Sequence, residues 1–502
     1  MTVADATPDF EKGDRNDRAF LGHPKGLGYL SFVEACERFS YYSMQTLLTL
    51  YMVNYLLTPE RMAGVAALDW LRSWHYVGLE GQPLGSAIFG DYTSLVYLTP
   101  ILGGVIADRY AGRRAALLAG GLMMSLGHFL MAIESAFLFA LLALIIGVGL
   151  FKGNIASQVG ALYKENDLRR AMAFQIFYIA INVSVIVAPL ISGTLGEKVG
   201  WHYGFGCAGI VMVLGVLIFL KGKDHLPEDD GANTINPSKT VGALAMATIL
   251  SLIVIGVVFA AGVAVTLLAL IPLYFYLTNG MARDDKIRVL ALVLLIPMLA
   301  VALLTNQEIF NAYLVWGDQQ FDLSLLNNTS SWLITVDAAL SFSMLVAVAA
   351  FWKWWGTRRR EPDEISKMII GSFFTIAGAL CLFMAALTQP EGGKVAIFWP
   401  LMFHLLNSIG FAHILPISLA LFSKIAPRQI NATVIGLYYL AFFIANAVVG
   451  WVGGWYSSLP TTTFWLIHAA SAGIGLVAFV LFKMILGRRM VTGTQQQVAA
   501  LS

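Results

Sequence analysis

Charge is what this sequence has least of. Only 12% of its 502 residues are Asp, Glu, Lys or Arg, against about 25% in an ordinary soluble domain. So few charges cannot coat a water-soluble globule of this length. With 58% apolar residues, lipid has to be the solvent for much of the chain. A net charge of +2 leaves no basic face for nucleic acid. Cysteine is scarce too. Cys36, Cys207 and Cys381 each lie in an apolar stretch, which excludes metal-ligand spacing and a disulfide framework. They read as buried thiols. An intramembrane enzyme would need a nucleophile with a base, paired aspartates or a metal signature. The chain has no H-E-x-x-H and no glycine-flanked nucleophile serine. His404 and His413 are nine apart, on roughly opposite sides of a helix, and read as helix-packing hydrogen-bonders. Residues 1–26 carry Lys12, Arg15, Arg18 and Lys25 with no apolar core before a cleavage site. They read as a cytoplasmic arm, and the first hydrophobic helix as its own insertion signal.

What abounds is long apolar runs. A span takes about 20 residues at about 1.5 Å each. Candidate spans are 27–56, 86–107, 115–133, 136–163, 171–195, 203–220, 241–262, 263–280, 287–315, 331–352, 368–388, 396–422, 430–451 and 464–486. The fold expected is an all-α membrane protein of about fourteen spans. The region 241–280 is interrupted only by Gly262. It fits either two spans or one long span with a re-entrant piece. Charge favours two. Twenty-six of the 32 Lys and Arg then fall on one side, four fall opposite (Arg61, Arg72, Lys198, Lys394), and Arg38 and Lys152 lie within helices. Positive charge collects on the cytoplasmic side. Removing one span would carry Arg358, Arg359 and Arg360 outside. Both termini are therefore expected in the cytoplasm, in a plasma membrane of bacterial inner-membrane type.

The organisation reads as six, two and six. It comprises an arm (1–26), a six-helix bundle (27–220), a polar linker (221–240), two extra helices (241–280), a second six-helix bundle (281–487) and a tail (488–502). Residues 57–85, with Trp70, Trp74 and Tyr76, suit an interfacial segment outside. A weak repeat relates the halves. Gly103 to Arg114, containing Asp108, Arg109, Arg113 and Arg114, follows the second span. Gly356-Thr357-Arg358-Arg359-Arg360 follows its counterpart. The first string resembles the cytoplasmic gating signature of the major facilitator superfamily, in which two halves rock about a central site.

Six ionisable residues sit within spans: Glu34, Glu37, Arg38, Lys152, Glu308 and Asp337. Each costs at least roughly 2.5–3.5 kcal/mol at mid-membrane on insertion scales, so each needs a partner or water. Glu34, Arg38, Tyr41 and Gln45 are spaced four, three and four apart and share one helical face, with Glu37 and Tyr42 beside it. Such a stripe either faces a cavity or merely locks two helices together. Lys152 either meets those acids as a proton relay or snorkels to an interface. Its own face carries Gly149, Gly153, Ala156 and Gly160, small enough for close helix approach.

The string Glu34-Ala35-Cys36-Glu37-Arg38-Phe39-Ser40-Tyr41-Tyr42 resembles the first-helix signature of the proton-dependent oligopeptide transporter family (POT/PTR), a branch of the major facilitator superfamily. Ala87 to Gly90 with Leu95 to Pro100, Phe177-Tyr178-Ile179-Ala180-Ile181-Asn182, and Gly200 to Phe205 are similar to later motifs of the family. The six-two-six plan resembles its bacterial members. The resemblance covers nearly the whole chain and weakens in the back half. It implies a proton-coupled symporter importing small peptides or peptide-like solutes by alternating access, with a proton gradient as energy source, no cofactor, and a monomeric state.

By the same resemblance, Glu34, Glu37, Arg38, Lys152 and Glu308 couple the proton. Tyr41, Tyr42, Gln45, Tyr97, Lys152, Asn182, Asn311, Asp337 and Phe411 line the substrate. Several positions depart from the family pattern. Ser43 stands for a glycine, Gln45 for the arginine that receives the peptide carboxylate, and Gly153 for a proline. Asp337 stands for an asparagine, and Phe411 for the glutamate that holds the peptide amine. Both ends of the zwitterion clamp are therefore altered. The departures leave open a cargo other than an ordinary free-ended peptide, such as a modified or cyclic peptide or a peptidic siderophore.

Overall fold

The structure is a computed structural model that describes residues 18–164, 167–227, 237–427 and 430–499. Most of the expected arm and the middle of the expected linker lie outside the described residues. The front half is six helices: α1 (Lys25–Tyr51), α2 (Gly81–Ile106), α3 (Arg113–Leu130), α4 (Phe137–Ala161), α5 (Arg169–Ala188) and α6 (Trp201–Gly222). Then come α7 (Pro237–Leu268) and α8 (Leu270–Leu277). The back half holds α9 (Arg283–Glu308), α10 (Ala312–Gln320), α11 (Trp332–Gly356), α12 (Glu364–Leu387), α13 (Phe398–Ile425), α14 (Asn431–Tyr438), α15 (Leu440–Gly453) and α16 (Thr461–Ala499). Among the described residues ten helical segments are long and apolar enough to cross a membrane. The all-α membrane fold is as the composition requires, because lipid leaves no partner for unpaired backbone. Residues such as Ile210, Leu217, Ile253, Val346, Phe373 and Ile474 lie on the outer surface of the helices, as lipid-facing positions must.

The doubtful region resolves through its neighbours. Gly242, near the start of α7, packs so close to Tyr110 that a Cβ there would lie 2.4 Å from the phenol oxygen. At the far end of α7, Phe259 stacks on His75 with centroids 3.9 Å apart. Tyr110 belongs to the basic turn after α2, and His75 to the 57–85 segment before it, so α7 crosses once. Gly262 then breaks the helix at φ 72°, ψ 165°, a conformation open to glycine. The chain returns to the basic end, where the Tyr274 hydroxyl donates to the Lys286 carbonyl at 3.2 Å. The chain thus crosses once and then folds back. The return, residues 263–277, is about 22 Å long at helical rise, short of the roughly 30 Å hydrocarbon core. Within 57–85, Trp70 and Trp74 are exposed. Tyr76 turns inward and donates to Asp91 at 2.8 Å.

Two expected spans are broken. The span 287–315 is α9 and α10, separated at Asn311 (φ −120°, ψ −113°) and running on to Gln320. The span 430–451 is α14 and α15, which meet at Tyr439.

The hydrogen bonds that join the halves cluster at the 57–85 end. Ser86 donates to Asn311 at 2.9 Å, Gln82 to the Gly453 carbonyl at 2.9 Å and Thr49 to the Phe310 carbonyl at 3.0 Å. Asn54 donates to Asp318 at 2.9 Å. Glu197 accepts the backbone N–H groups of Ser330 (2.7 Å) and Ser331 (2.8 Å) at the start of α11, where a carboxylate is favoured by the helix dipole. At the basic end the ion pairs stay within a half: Arg113–Asp108 at 3.3 Å, Lys424–Glu364 at 2.8 Å and Lys483–Asp363 at 2.8 Å. Among the described residues, the hydrogen bonds that join the halves thus lie at one end.

Gly90 and Gly450 make that closure possible. A Cβ on Gly90 would lie 2.4 Å from the Gly450 Cα, a backbone atom that cannot swing aside. Overpacking costs about 1–3 kcal/mol, so Gly90→Val is expected to disfavour the joined end by about tenfold or more. In a Ser86→Cys background, labelling by a water-soluble maleimide should speed up when Gly90→Val is added. Unchanged labelling would show that the glycine contact does not hold the end shut.

Candidate functional site

The first-helix stripe forms one buried cluster. Arg38 donates from Nη2 to Glu37 Oε1 at 2.7 Å and from Nε to the second Glu37 oxygen. Arg38 Nε also lies 3.2 Å from Glu34 Oε1. All three side chains are nearly or wholly buried. Glu37 therefore holds the guanidinium with both oxygens, the strong two-point geometry. Glu34 shares it with one, and its Oε2 is buried with no hydrogen-bond partner. Two acids and one base leave this cluster a surplus negative charge.

Lys152 does not supply the balancing bond. It makes no ion pair with either glutamate and rests on aromatic faces instead. Its ammonium is 4.3 Å from the Tyr97 ring centroid and 5.4 Å from that of Tyr41, a cation–π arrangement. The relay drawn from the sequence, with Lys152 bonded to the acids, is therefore not made in this conformation. Arg38 has taken both acids, and the Tyr41 ring lies under the guanidinium at 5.0 Å. The Lys152 ammonium lies against rings of α1 and α2. On the enclosed helix α4, Gly153 and Ser157 beside it are exposed, which marks this face as the wall of the gap between the halves.

The aromatic and amide groups assemble around that lysine. Tyr41 donates to the Tyr97 hydroxyl at 3.4 Å, and Gln45 donates to Tyr41 at 3.0 Å. Tyr42 meets Tyr41 edge-on at 5.1 Å. Tyr97 stacks on Phe442 of α15 at 4.8 Å, so the N-terminal cluster touches the back half there. Asn182 donates to the Tyr178 carbonyl of its own helix at 2.8 Å. Phe411 is half-buried and packs against the core.

Asn311 is placed differently from the expectation that it lines the substrate. It is fully buried, accepting from Ser86 and donating to the Val449 carbonyl at 3.2 Å. In this conformation its amide ties the halves together. Glu308 stands beside it at the break between α9 and α10. Its Oε1 accepts the Ala312 N–H at 3.1 Å and so caps α10. Its Oε2 lies 3.4 Å from His468 Nε2, with both side chains wholly buried.

Asp337 pairs with His404, Nδ1 to Oδ1 at 2.9 Å, and His404 Nε2 meets the Tyr313 hydroxyl at 2.8 Å. His404 thus hydrogen-bonds two other helices, as a helix-packing residue does. His413 turns to its own helix, its Nδ1 facing the Ile409 carbonyl one turn back at 2.8 Å. His468 was missed outright. One signal was available: a histidine in a long apolar span carries the same burial cost that singled out the acids. In the gating string, Asp108 and Arg109 are exposed. Arg114 is buried and donates to the Leu226 and Pro227 carbonyls beyond α6, fastening the turn within its own half.

The POT family model matches residues 114–466, about 70% of the chain. The chain belongs to the POT family. The match begins beyond the first-helix signature, so Glu34 to Tyr42 point to the family independently of it. YePEPT, a peptide transporter of Yersinia enterocolitica, is 29% identical, with 96% of this chain and 98% of that one covered. YclF, an uncharacterized transporter of Bacillus subtilis, is 29% identical over 93% of this chain and 94% of its own. Among solved structures, a mutant of the peptide transporter POT in complex with alafosfalin superposes with TM-score 0.77 at 26% identity. That match covers 94% of this chain and 96% of that one. This POT-family chain is a multi-pass secondary transporter of the major facilitator fold, not an enzyme.

Proposed function

We propose that the chain is a proton-coupled symporter that imports small peptides or peptide-like solutes by alternating access. It works as a monomer in a bacterial inner membrane with both termini cytoplasmic, and needs protons, cargo and lipid but no nucleic acid. The observation that carries this reading is the buried Glu34–Arg38–Glu37 cluster beside an ammonium without an ion pair, on the wall of a gap that the described residues join at one end. The cluster has a spare negative charge that a proton can cancel. Lys152 offers a counter-charge to an anionic group of the cargo. The two events share the Tyr41 ring, which lies under both Arg38 and Lys152. Placing the basic end in the cytoplasm makes this an inward-facing form. Asp108, Arg109, Arg113 and Arg114 then edge the inner opening. Residues 27–220 and 281–487 act as the rocking halves, and 241–280 rides with the front one through α7.

In this reading Glu34, Glu37, Arg38, Lys152 and Glu308 couple the proton. Tyr41, Tyr42, Gln45, Tyr97, Lys152, Asn182, Asp337 and Phe411 face the cargo, and Asn311 holds the outer closure. The relatives named as peptide transporters support the cargo class.

The test is uptake of radiolabelled leucyl-phenylalanine into proteoliposomes. Accumulation above equilibrium is expected only under an inward proton gradient. Lys152→Ala is expected to lose that accumulation, because the cargo anion is then left in a low-dielectric site without a counter-charge. Gradient-independent uptake would remove proton coupling. Normal accumulation by Lys152→Ala would make the lysine structural.

A further inference from the structure

Most of the ionisable groups within the back half's spans occur as acid–histidine pairs, which a simple ion lock does not require. Asp337 and His404 come from α11 and α13, and Tyr313 from α10. No sequence neighbourhood forces the three together, so tertiary packing holds the arrangement. His404 is wholly buried and uses both ring nitrogens. Tyr313 is wholly buried as well. Asp337 alone reaches outward, with its side chain 12% exposed. The three form a short chain whose only opening is the carboxylate.

The hydrogen bonds suit two charge states. With neutral His404, Nδ1–H donates to the carboxylate and Nε2 accepts from the Tyr313 hydroxyl; the unit carries one negative charge. With one more proton, shared between imidazole and carboxylate, the unit is neutral. Among the described residues no lysine or arginine pairs with Asp337. The titratable groups facing the unit are Tyr313 itself, Cys381 of α12 near Tyr313, and Tyr42 of α1 within electrostatic reach of Asp337 across the gap. The next carboxylates at the start of α11 are Asp318 of α10, which accepts from Ser330 and Asn54, and Glu197, which is occupied by the Ser330 and Ser331 N–H groups. Among the described residues no cation other than His404 pairs with this carboxylate, and an uncompensated buried charge is costly.

The geometry points to Asp337–His404–Tyr313 as a further proton-binding site, in the back half and separate from both the first-helix cluster and the Glu308–His468 pair. This inference rests on the symport reading for its role. The proton comes from water in the gap, enters at Asp337, and leaves to water when the halves rock; no other bond is made or broken. Loaded, the site is neutral and can pass through a closed form. Unloaded, it carries a buried charge that resists closure. With the first-helix cluster in the front half, it lets proton binding act on both rocking bodies.

The test needs no cargo. Purified full-length protein in weakly buffered detergent is acidified from mildly alkaline pH, and the protons taken up per molecule are counted with a pH indicator. Asp337→Asn is expected to take up about one proton fewer than wild type, with uptake restored in Asp337→Glu. His404→Gln, which approaches the pair from the other helix, should also change the uptake, because the carboxylate then has no imidazole with which to share the proton. The proposal is overturned if Asp337→Asn and His404→Gln both titrate as wild type. In proteoliposomes, the proton-to-peptide ratio from reversal potentials should fall by about one in Asp337→Asn; an unchanged ratio would also overturn it. If wild type takes up the extra proton but moves no cargo, the site stands and the symport reading falls.

Discussion

Glu34→Gln is expected to abolish accumulation driven by a proton gradient while leaving exchange of cargo across the membrane intact. The case rests on how one guanidinium is divided between two acids. Arg38 bonds both oxygens of Glu37 and only one of Glu34, whose Oε2 is buried and unpartnered. A proton arriving at the cluster breaks two bonds if it goes to Glu37. At Glu34 it fills an orphan position and removes the surplus charge. Glutamine there copies the protonated acid in shape and neutrality but cannot release a proton. The halves can still rock with cargo, while the gradient no longer does work. Counterflow of labelled leucyl-phenylalanine should therefore persist, and gradient-driven accumulation should fall by about tenfold or more, since losing even one pK unit of coupling removes about 1.4 kcal/mol. Glu37→Gln is expected to do more harm. It breaks the two-point bond, and a lower melting temperature should accompany lost transport. Wild-type accumulation by Glu34→Gln would move the exchangeable proton elsewhere.

Sequence alone could not rank those two glutamates. Spacing puts Glu34 and Arg38 on one face and Glu37 beside them, but which acid wins the fork depends on rotamers set by packing. The stripe itself was legible because charge in an apolar span is costly wherever it occurs. The same rule exposed Lys152, Glu308 and Asp337. The partners were not legible where they lie far apart in sequence. His404 meets Asp337 across 67 residues and His468 meets Glu308 across 160. Neither distance has a periodicity to betray it. The break at Asn311 escaped for another reason. Apolar composition runs through it, and the carboxylate that makes it tolerable, Glu308 capping Ala312, reads in sequence only as an intramembrane acid. By contrast, a return at Gly262 was expected from the positive-charge asymmetry, although the structure does not show it as a full crossing. What hydropathy could not supply was its length, which the structure makes short.

Dialanine is expected to bind poorly, and Gln45→Arg with Phe411→Glu to recover part of the affinity. A zwitterion entering a low-dielectric cavity needs a counter-charge at each end, because an unpaired buried charge costs several kcal/mol. At the anionic end this chain offers Lys152, held on the Tyr97 and Tyr41 rings, and the amide of Gln45 bonded to Tyr41. The single cation is already partly satisfied by the rings. At the cationic end Phe411 is a half-buried ring within the core, and Asp337 is engaged by His404. An ammonium must compete with that imidazole for the carboxylate. A small dipeptide has little apolar surface to offset these losses. A larger apolar one gains about 25 cal/mol per Å² buried, against Tyr42, Tyr97 and Phe411. Leucyl-phenylalanine should therefore outcompete dialanine by about tenfold or more, since burying one large apolar side chain is worth about 1.5–3 kcal/mol. In the double variant the order should narrow, as Arg at 45 lies beside Tyr41 and Glu at 411 faces an ammonium without a competing histidine. Competition for labelled leucyl-phenylalanine in proteoliposomes measures both. Saturable, tight competition by dialanine against the unmodified protein would sink the idea. It would mean that Lys152 and Asp337 suffice as a clamp and that His404 yields the carboxylate to the cargo.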